Sequence, residues 1–318
     1  MQVAKCNVNT MSSDAVVDDV IEKIPNRYSK RIGRSLVTTG RETRPQASVI
    51  IVTYRTETSE LRRTLDALAS QTVSGFEIVL VDNDHREDLE SVIGAYDIVR
   101  QYVRLHTNYG ITFARNLGAK LARADLLVFL DDDAIPRLDF VEQHVLAHRE
   151  HDIVAARGKV LPRTDSVYNR LQWWYDLGDE PFPFYLNIEG NTSFEREAFI
   201  SLSGFDEDLL GRAGHEGVEL TYRFIRSGYG RDKLIYYPDA VIHHDNASGL
   251  RSYLHKRITD RRNGRLLKTK HPELAEFIRS YPTPIIPSPN RGLSDRLVAL
   301  MLAITVTVAD AVVPESTL

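Results

Sequence analysis

Residues 125–136 read DLLVFLDDDAIP, an apolar run of five residues that ends in three consecutive carboxylates. A short apolar run with abrupt polar ends is the pattern of a strand buried on both faces. Three adjacent carboxylates repel and push one another's pKa values up, and a cation relieves the repulsion. Hard divalent ions such as Mg2+ or Mn2+ take oxygen ligands, commonly one or two protein carboxylates with phosphate oxygens completing the shell. The chemistry therefore suits an ion shared with a nucleoside diphosphate. The simpler alternative is a solvated acidic turn, or a helix N-cap before Asp139.

The sequence upstream repeats one theme. SVIIVT at 48–53 is a β-branched run, residues 57–70 carry Leu61, Leu65 and Leu68 at helical spacing, and FEIVLV at 76–81 is a second short run. A helix is expected near 88–95, an extended segment near 98–105 and a helix near 112–123, leading into the strand before the triplet. Strands alternating with helices build a mostly parallel sheet with helices on both faces and right-handed crossovers. Such sheets bind ligands at the carboxyl ends of their strands. Thr53-Tyr54-Arg55, Asp82-Asn83-Asp84 and Asp131-Asp132-Asp133 all fall there. Further on, a strand is expected near 153–160, an aromatic stretch runs from Trp173 to Tyr185, and helices are expected near 197–203 and 216–227.

Composition narrows the classes. With 42% hydrophobic and 26% charged residues among 318, the chain is neither disordered, collagen-like nor a multi-span membrane protein. Forty basic against forty-four acidic residues give a net charge of −4, and no nucleic-acid reader motif is present, so no nucleic-acid partner is expected. A local exception is the segment 251–270, with eight Lys or Arg and one acid, Asp260, a field that attracts an anion. The single cysteine, Cys6, excludes an intramolecular disulfide and any CxxC site. The first twenty residues lack the apolar core of a secretory signal, so a cytoplasmic protein is expected. The apolar run 297–309 falls short of the roughly 20 residues a bilayer span needs. With Arg291 and Arg296 before it, it reads as a buried helix or as a peripheral contact with the inner face of a membrane.

Five segments together resemble, in order and spacing, a family 2 glycosyltransferase of the GT-A fold: SVIIVTYRT, FEIVLVDND, NYGITFARNLGAKLARADLLVFLDDDAIP, GNTSFEREAFISLSGFDEDL and HHDNASGLRSYLHKRITDRRN. The resemblance covers residues 47–271 and leaves 1–46 as an N-terminal extension and 272–318 as a tail with an apolar helix. It implies a Rossmann-like α/β sheet with an acceptor-side extension and C-terminal helices. It also implies a nucleotide-diphospho-sugar donor, Mg2+ or Mn2+, and a glycan, lipid-linked or small-molecule acceptor. Carried over, Thr53 and Tyr54 line the nucleoside pocket with Arg55 and Asn83, Asp82 accepts from the base, and Arg115 faces base or phosphate. Asp131 and Asp132 hold the ribose and neighbouring contacts, and Asp133 ligates the metal. His244 fits the family's spacing better than His243 as the residue facing the metal or diphosphate, and side chains alternate along a strand, so only one of the two faces the site. Ser248 touches phosphate, Arg262-Asn263 lies near the donor, and Trp173, Trp174 and Gly190 belong to the acceptor side.

The same resemblance exposes a departure. Where the family has two adjacent acids opening a helix, the second usually the base, GRAGHEGVELTYRFIRSGY has Glu216 followed by Gly217. Glu216, one methylene longer than an aspartate, becomes the candidate base, with Glu219 or His215 as substitutes. Alternatively both glutamates only stabilise a helix N-terminus. The expected activity is metal-dependent, inverting glycosyl transfer. Its rivals are an inactive sugar-nucleotide-binding module and a sugar-phosphate nucleotidyltransferase, although VTYRTETSE lacks the glycine-rich loop the latter normally carries.

Overall fold

The computed structural model describes residues 24–37, 44–84, 88–209, 214–281 and 293–313. Its strands are β1 (Ile32–Val37), β2 (Ser48–Thr53), β3 (Glu77–Asp82), β4 (Val99–Leu105), β5 (Leu126–Asp131), β6 (Ile135–Pro136), β7 (Ala155–Leu161), β8 (Phe182–Pro183), β9 (Asn191–Glu195) and β10 (Leu234–His243). The helices are α1 (Asn26–Ser29), α2 (Thr58–Ala69), α3 (Glu90–Ile93), α4 (Ile111–Leu121), α5 (Phe140–Glu150), α6 (Val167–Arg170), α7 (Arg196–Ser201), α8 (Glu216–Arg226), α9 (Leu250–Lys270), α10 (Leu274–Arg279) and α11 (Leu293–Val312).

All ten strands form one sheet, ordered β1-β4-β3-β2-β5-β9-β7-β10-β6, with β8 on β10. Strands β4, β3, β2 and β5 run parallel, and so do β7 and β10. Alternation explains why β2 sits at the centre. Val49 and Ile51 face Leu61 and Leu65 of α2, while Ile50 faces Phe113 and Leu117 of α4. Helix α4 lies close enough that a Cβ on Gly118 would come within 2.5 Å of Ile50 Cγ2. The direction in which strands are added reverses at β2, with β3 and β4 on one side and β5 on the other. A crevice therefore opens between the carboxyl ends of β2 and β5, the usual ligand position in an open α/β sheet.

Two departures from the sequence expectation matter. Residues 24–37, assigned above to an extension, join the fold: β1 pairs antiparallel with β4, and Tyr28 is fully buried, stacked on Phe113 at 4.8 Å. The rest of that segment, 1–23 and 38–43, lies outside the described residues. Strand β9 is inserted antiparallel between β5 and β7, and its sequence NTSFE has no β-branched run to announce it.

Helix α11 packs through Leu302 and Val306 into a cluster with Leu171, Tyr253 and Ile258. It is tied at both ends: Asp295 pairs with Arg170 at 2.9 Å, and Asp310 with Arg262 at 3.0 Å and Arg265 at 2.7 Å. Those two guanidiniums, Arg265 first, hold the Asp310 carboxyl down at about 2. Among the described residues no helix is long and apolar enough to cross a membrane.

Candidate active site

Two cavities open side by side at the rim. The larger, about 1010 Å³, is lined by Tyr54, Arg55, Asn83, Asp131, Asp132, Asp133, Ser248, Arg251 and Lys256. The smaller, about 350 Å³, is lined by Arg115, Trp174, Tyr175, Glu189, Gly190, His215, Glu216 and Arg257. Ile111, Asp131, His244 and Lys256 belong to both walls, so the cavities meet at the acidic triplet.

The three aspartates have separate surroundings. Asp131 ends β5 and receives Arg115 Nη2 at 2.9 Å. Asp132 turns inward, where its carboxyl lies beside the hydroxyls of Thr53 and Thr56. Burial, then the charge of Asp133, raises the Asp132 carboxyl to about 7. Asp133 reaches across to β10, where His244 Nε2 stands 3.1 Å from its Oδ1. Burial works against both charges of that pair, yet their attraction outweighs it, holding Asp133 near 2 and raising His244 above the ordinary histidine range. Among the described residues no cluster of three or more His, Cys, Asp or Glu closes around a point. The set fits a divalent ion held by Asp133 and His244 with phosphate oxygens completing the shell.

On the smaller cavity's wall, Glu216 opens α8 and is 4% exposed. Arg115, itself buried, bridges two acids: its Nη1 lies 3.4 Å from Glu216 while Nη2 holds Asp131. Burial first, then the charge of Glu189, lifts the Glu216 carboxyl to about 8 against the pull of Arg115. An added Cβ on Gly190 would lie 2.1 Å from the Asp131 carboxylate, so glycine here lets that carboxylate keep its place.

Several sequence-derived residues lie elsewhere. Thr53 and Asp82 are fully buried behind the rim, and Asp82 accepts from Tyr102 Oη at 2.8 Å, with Arg104 3.5 Å away. Trp173 packs edge-on against Trp174 beside Leu177 and Phe184, and only Trp174 reaches the cavity. Glu219 faces the other way, gripped by Arg223 at 2.7 Å and approached by His271 at 3.3 Å, because salt-bridge partners stand on that side of α8. Arg262 is committed to Asp310, and Asn263 is buried facing the Gly214 carbonyl, so neither lines a cavity. His215 stays in the smaller wall, paired with Asp260 at 3.2 Å.

Residues 251–270 deliver Arg251, His255 and Lys256 to the larger cavity from one face of α9. The charge run signalled this. Tyr175, within the aromatic stretch, also reaches the smaller cavity, whereas Glu189 went unnoticed because no local pattern marks a lone acid before β9.

A mostly parallel sheet with a switch-point crevice and an acidic rim fits the fold of the GT-A glycosyltransferases. Among solved structures the chain is similar to a mannosyltransferase from Pyrobaculum calidifontis, in complex with GDP-Man and Mn2+. That match has a TM-score of 0.53 at 20% identity and covers 91% of this chain and 81% of that one. S. aureus TarS in complex with UDP-GlcNAc gives a TM-score of 0.50 at 16% identity, covering 74% and 79%. These likenesses establish the fold. The family model of glycosyl transferase family 2 matches residues 48–257, and the chain belongs to that family.

Among curated relatives, glucosyl-dolichyl phosphate glucuronosyltransferase of Haloferax volcanii is 28% identical over 189 residues, covering 55% of this chain and 60% of the relative. Validoxylamine A glucosyltransferase of Streptomyces hygroscopicus subsp. limoneus is 27% identical over 222 residues, covering 58% and 49%. The chain thus spans about half to three fifths of these relatives' lengths.

Proposed function

We propose that the protein transfers a sugar from a nucleoside-diphosphate donor in the larger cavity to a hydroxyl group seated in the smaller one, with inversion at the anomeric carbon. The observation that carries this reading is the shared wall. Two cavities meeting at Asp131, His244 and Lys256 let a donor's sugar end and an acceptor hydroxyl come together beside a buried acid.

In the proposed step the acceptor oxygen bonds to the anomeric carbon as the bond from that carbon to the diphosphate breaks. Glu216 takes the hydroxyl proton, and the nucleoside diphosphate leaves with the electron pair. Arg115 fixes Glu216 and Asp131 relative to each other. Arg251 and Lys256 face the diphosphate from α9 and offset its charge. Asp133 and His244 would hold a divalent ion, Mg2+ or Mn2+, which when bound supplies further charge stabilisation to the departing diphosphate. Tyr54, Arg55 and Asn83 border the nucleoside end, and the apolar face of an acceptor ring suits Trp174. The complexes of the two structural neighbours with GDP-Man and Mn2+, and with UDP-GlcNAc, support the donor class. The relatives' names span lipid-linked and small-molecule acceptors, which supports a hydroxyl acceptor without choosing between those and a glycan.

A thermal-shift screen of nucleotides with and without Mn2+ tests the reading. A diphosphate at 100 times its Kd adds about 2.7 kcal/mol to the native state, so a metal-dependent rise of several degrees is expected. A rise only with nucleoside triphosphates and sugar phosphates would favour nucleotidyl transfer.

We further propose that α11 rests on the inner face of a membrane, bringing the site to a lipid-linked acceptor. Leu293, Leu297, Leu300, Ile304, Val308 and Val312 are exposed at three- and four-residue intervals, one continuous stripe opposite the packed face. Exposed Arg296 lies at its start. Flotation with anionic vesicles should carry the protein, and Leu300→Asp with Ile304→Asp should cut that partition at least about tenfold, since each buried aliphatic side chain contributes about 1.5–3 kcal/mol. Equal flotation of both forms would refute the contact.

A further inference from the structure

We propose that Glu189 is a second acid of the acceptor cavity, placed from the loop before β9 where Gly217 leaves room at the start of α8, and that its charge makes Glu216 readier to take the acceptor's proton. This rests on the glycosyl-transfer reading and deepens it.

The argument begins at Gly217. Its backbone N–H donates to Glu189 Oε1 at 2.7 Å, and a Cβ built on residue 217 would come within 2.7 Å of that same oxygen. It would also come within 2.8 Å of the Leu186 carbonyl oxygen, so glycine at 217 makes room for both that backbone and the Glu189 carboxylate. The local N-cap residue, His215, sits in the left-handed region at φ 79° and makes no side-chain cap bond, so the helix end receives its acceptor from 28 residues upstream. A neutral side chain would serve as a cap at smaller desolvation cost. The residue present is an acid, and it lies in the cavity wall beside Glu216.

Charge counting supports the pairing. Glu189, Glu216 and Asp131 share the wall with one guanidinium between them, Arg115, which contacts Glu216 and Asp131 and not Glu189. In the same lining Asp260 takes up His215 at 3.2 Å and Arg257 at 3.6 Å, with Lys256 at the junction of the cavities. With so little compensation nearby, burial and then the charge of Glu189 make Glu216 readier to take up a proton. The Gly217 N–H holds the Glu189 carboxyl in place beside it. When the acceptor oxygen bonds to the anomeric carbon, its proton passes to deprotonated Glu216 beside Glu189, and the diphosphate departs with the electron pair.

The test is Glu189→Gln, whose amide oxygen can still accept from Gly217 N–H. The variant should keep the wild-type melting point and bind a nucleoside diphosphate with Mn2+ within about twofold. Its kcat should fall about 100-fold or more, the scale of general acid–base catalysis. The acid limb of its residual pH profile should move to lower pH, because the charge that helps hold Glu216 up is gone. Glu189→Asp, which keeps the charge, should retain more activity than Glu189→Gln. A Glu189→Gln rate within about twofold of wild type, with an unmoved acid limb, overturns the role given to Glu189. So does loss of melting point alone with the rate per folded molecule preserved. Wild-type protein that binds donors and transfers nothing counts instead against the glycosyl-transfer reading.

Discussion

Asp133→Ala is expected to reduce transfer about 1000-fold and to remove the effect of Mn2+ on diphosphate binding, while leaving the fold intact. Asp133 is the one aspartate of the triplet that faces His244 across the crevice, and their 3.1 Å contact sits in the larger cavity where a diphosphate would lie. An ion at a phosphoryl oxygen supplies several kcal/mol of charge stabilisation, and each 1.4 kcal/mol is a factor of ten. Asp133 is partly exposed at the end of a strand whose core is Leu127, Val128 and Phe129, so its loss opens no cavity in the interior. Calorimetry with a nucleoside diphosphate, with and without Mn2+, on wild type and variant checks the result. Undiminished metal-dependent binding by the variant would remove Asp133 from the site.

Glu216→Gln should lower kcat by about 100- to 10,000-fold with donor affinity unchanged, the signature of a base that acts on the acceptor and does not touch the nucleotide. The pH dependence follows from the raised pKa. A base works deprotonated, and with its carboxyl at about 8 Glu216 loses that form as pH falls, so wild-type kcat should drop tenfold per unit below about 8. The variant should lack this limb. A flat profile in the wild type between pH 6 and pH 9 would move the base role elsewhere.

What the sequence makes legible is the half of the site built on regular strands. SVIIVT, FEIVLV and LLVFL alternate between two cores, so their ends, and the polar residues on them, can be placed from periodicity alone. The triplet follows from the same logic. Asp82 shows the limit: its position at a strand end is right, but a tyrosine from the neighbouring strand occupies its carboxylate, a contact between residues 20 apart that no local pattern displays. Glu219 is the helical counterpart, diverted by Arg223 one turn later. Strand β9 and the loop holding Glu189 are positioned by antiparallel pairing with β5 and β7, strands distant in sequence, and Glu189 becomes informative only once Gly217 stands beside it.

The central claim is that a diphosphate and a divalent ion meet between Asp133, His244 and the basic face of α9. A crystal soaked with Mn2+ and a nucleoside diphosphate measures this directly. The account predicts an anomalous manganese peak within bonding distance of Asp133 and His244, with phosphate density reaching toward Arg251 and Lys256. A nucleotide seated in either cavity with manganese absent from Asp133, or both bound away from the crevice, would contradict it.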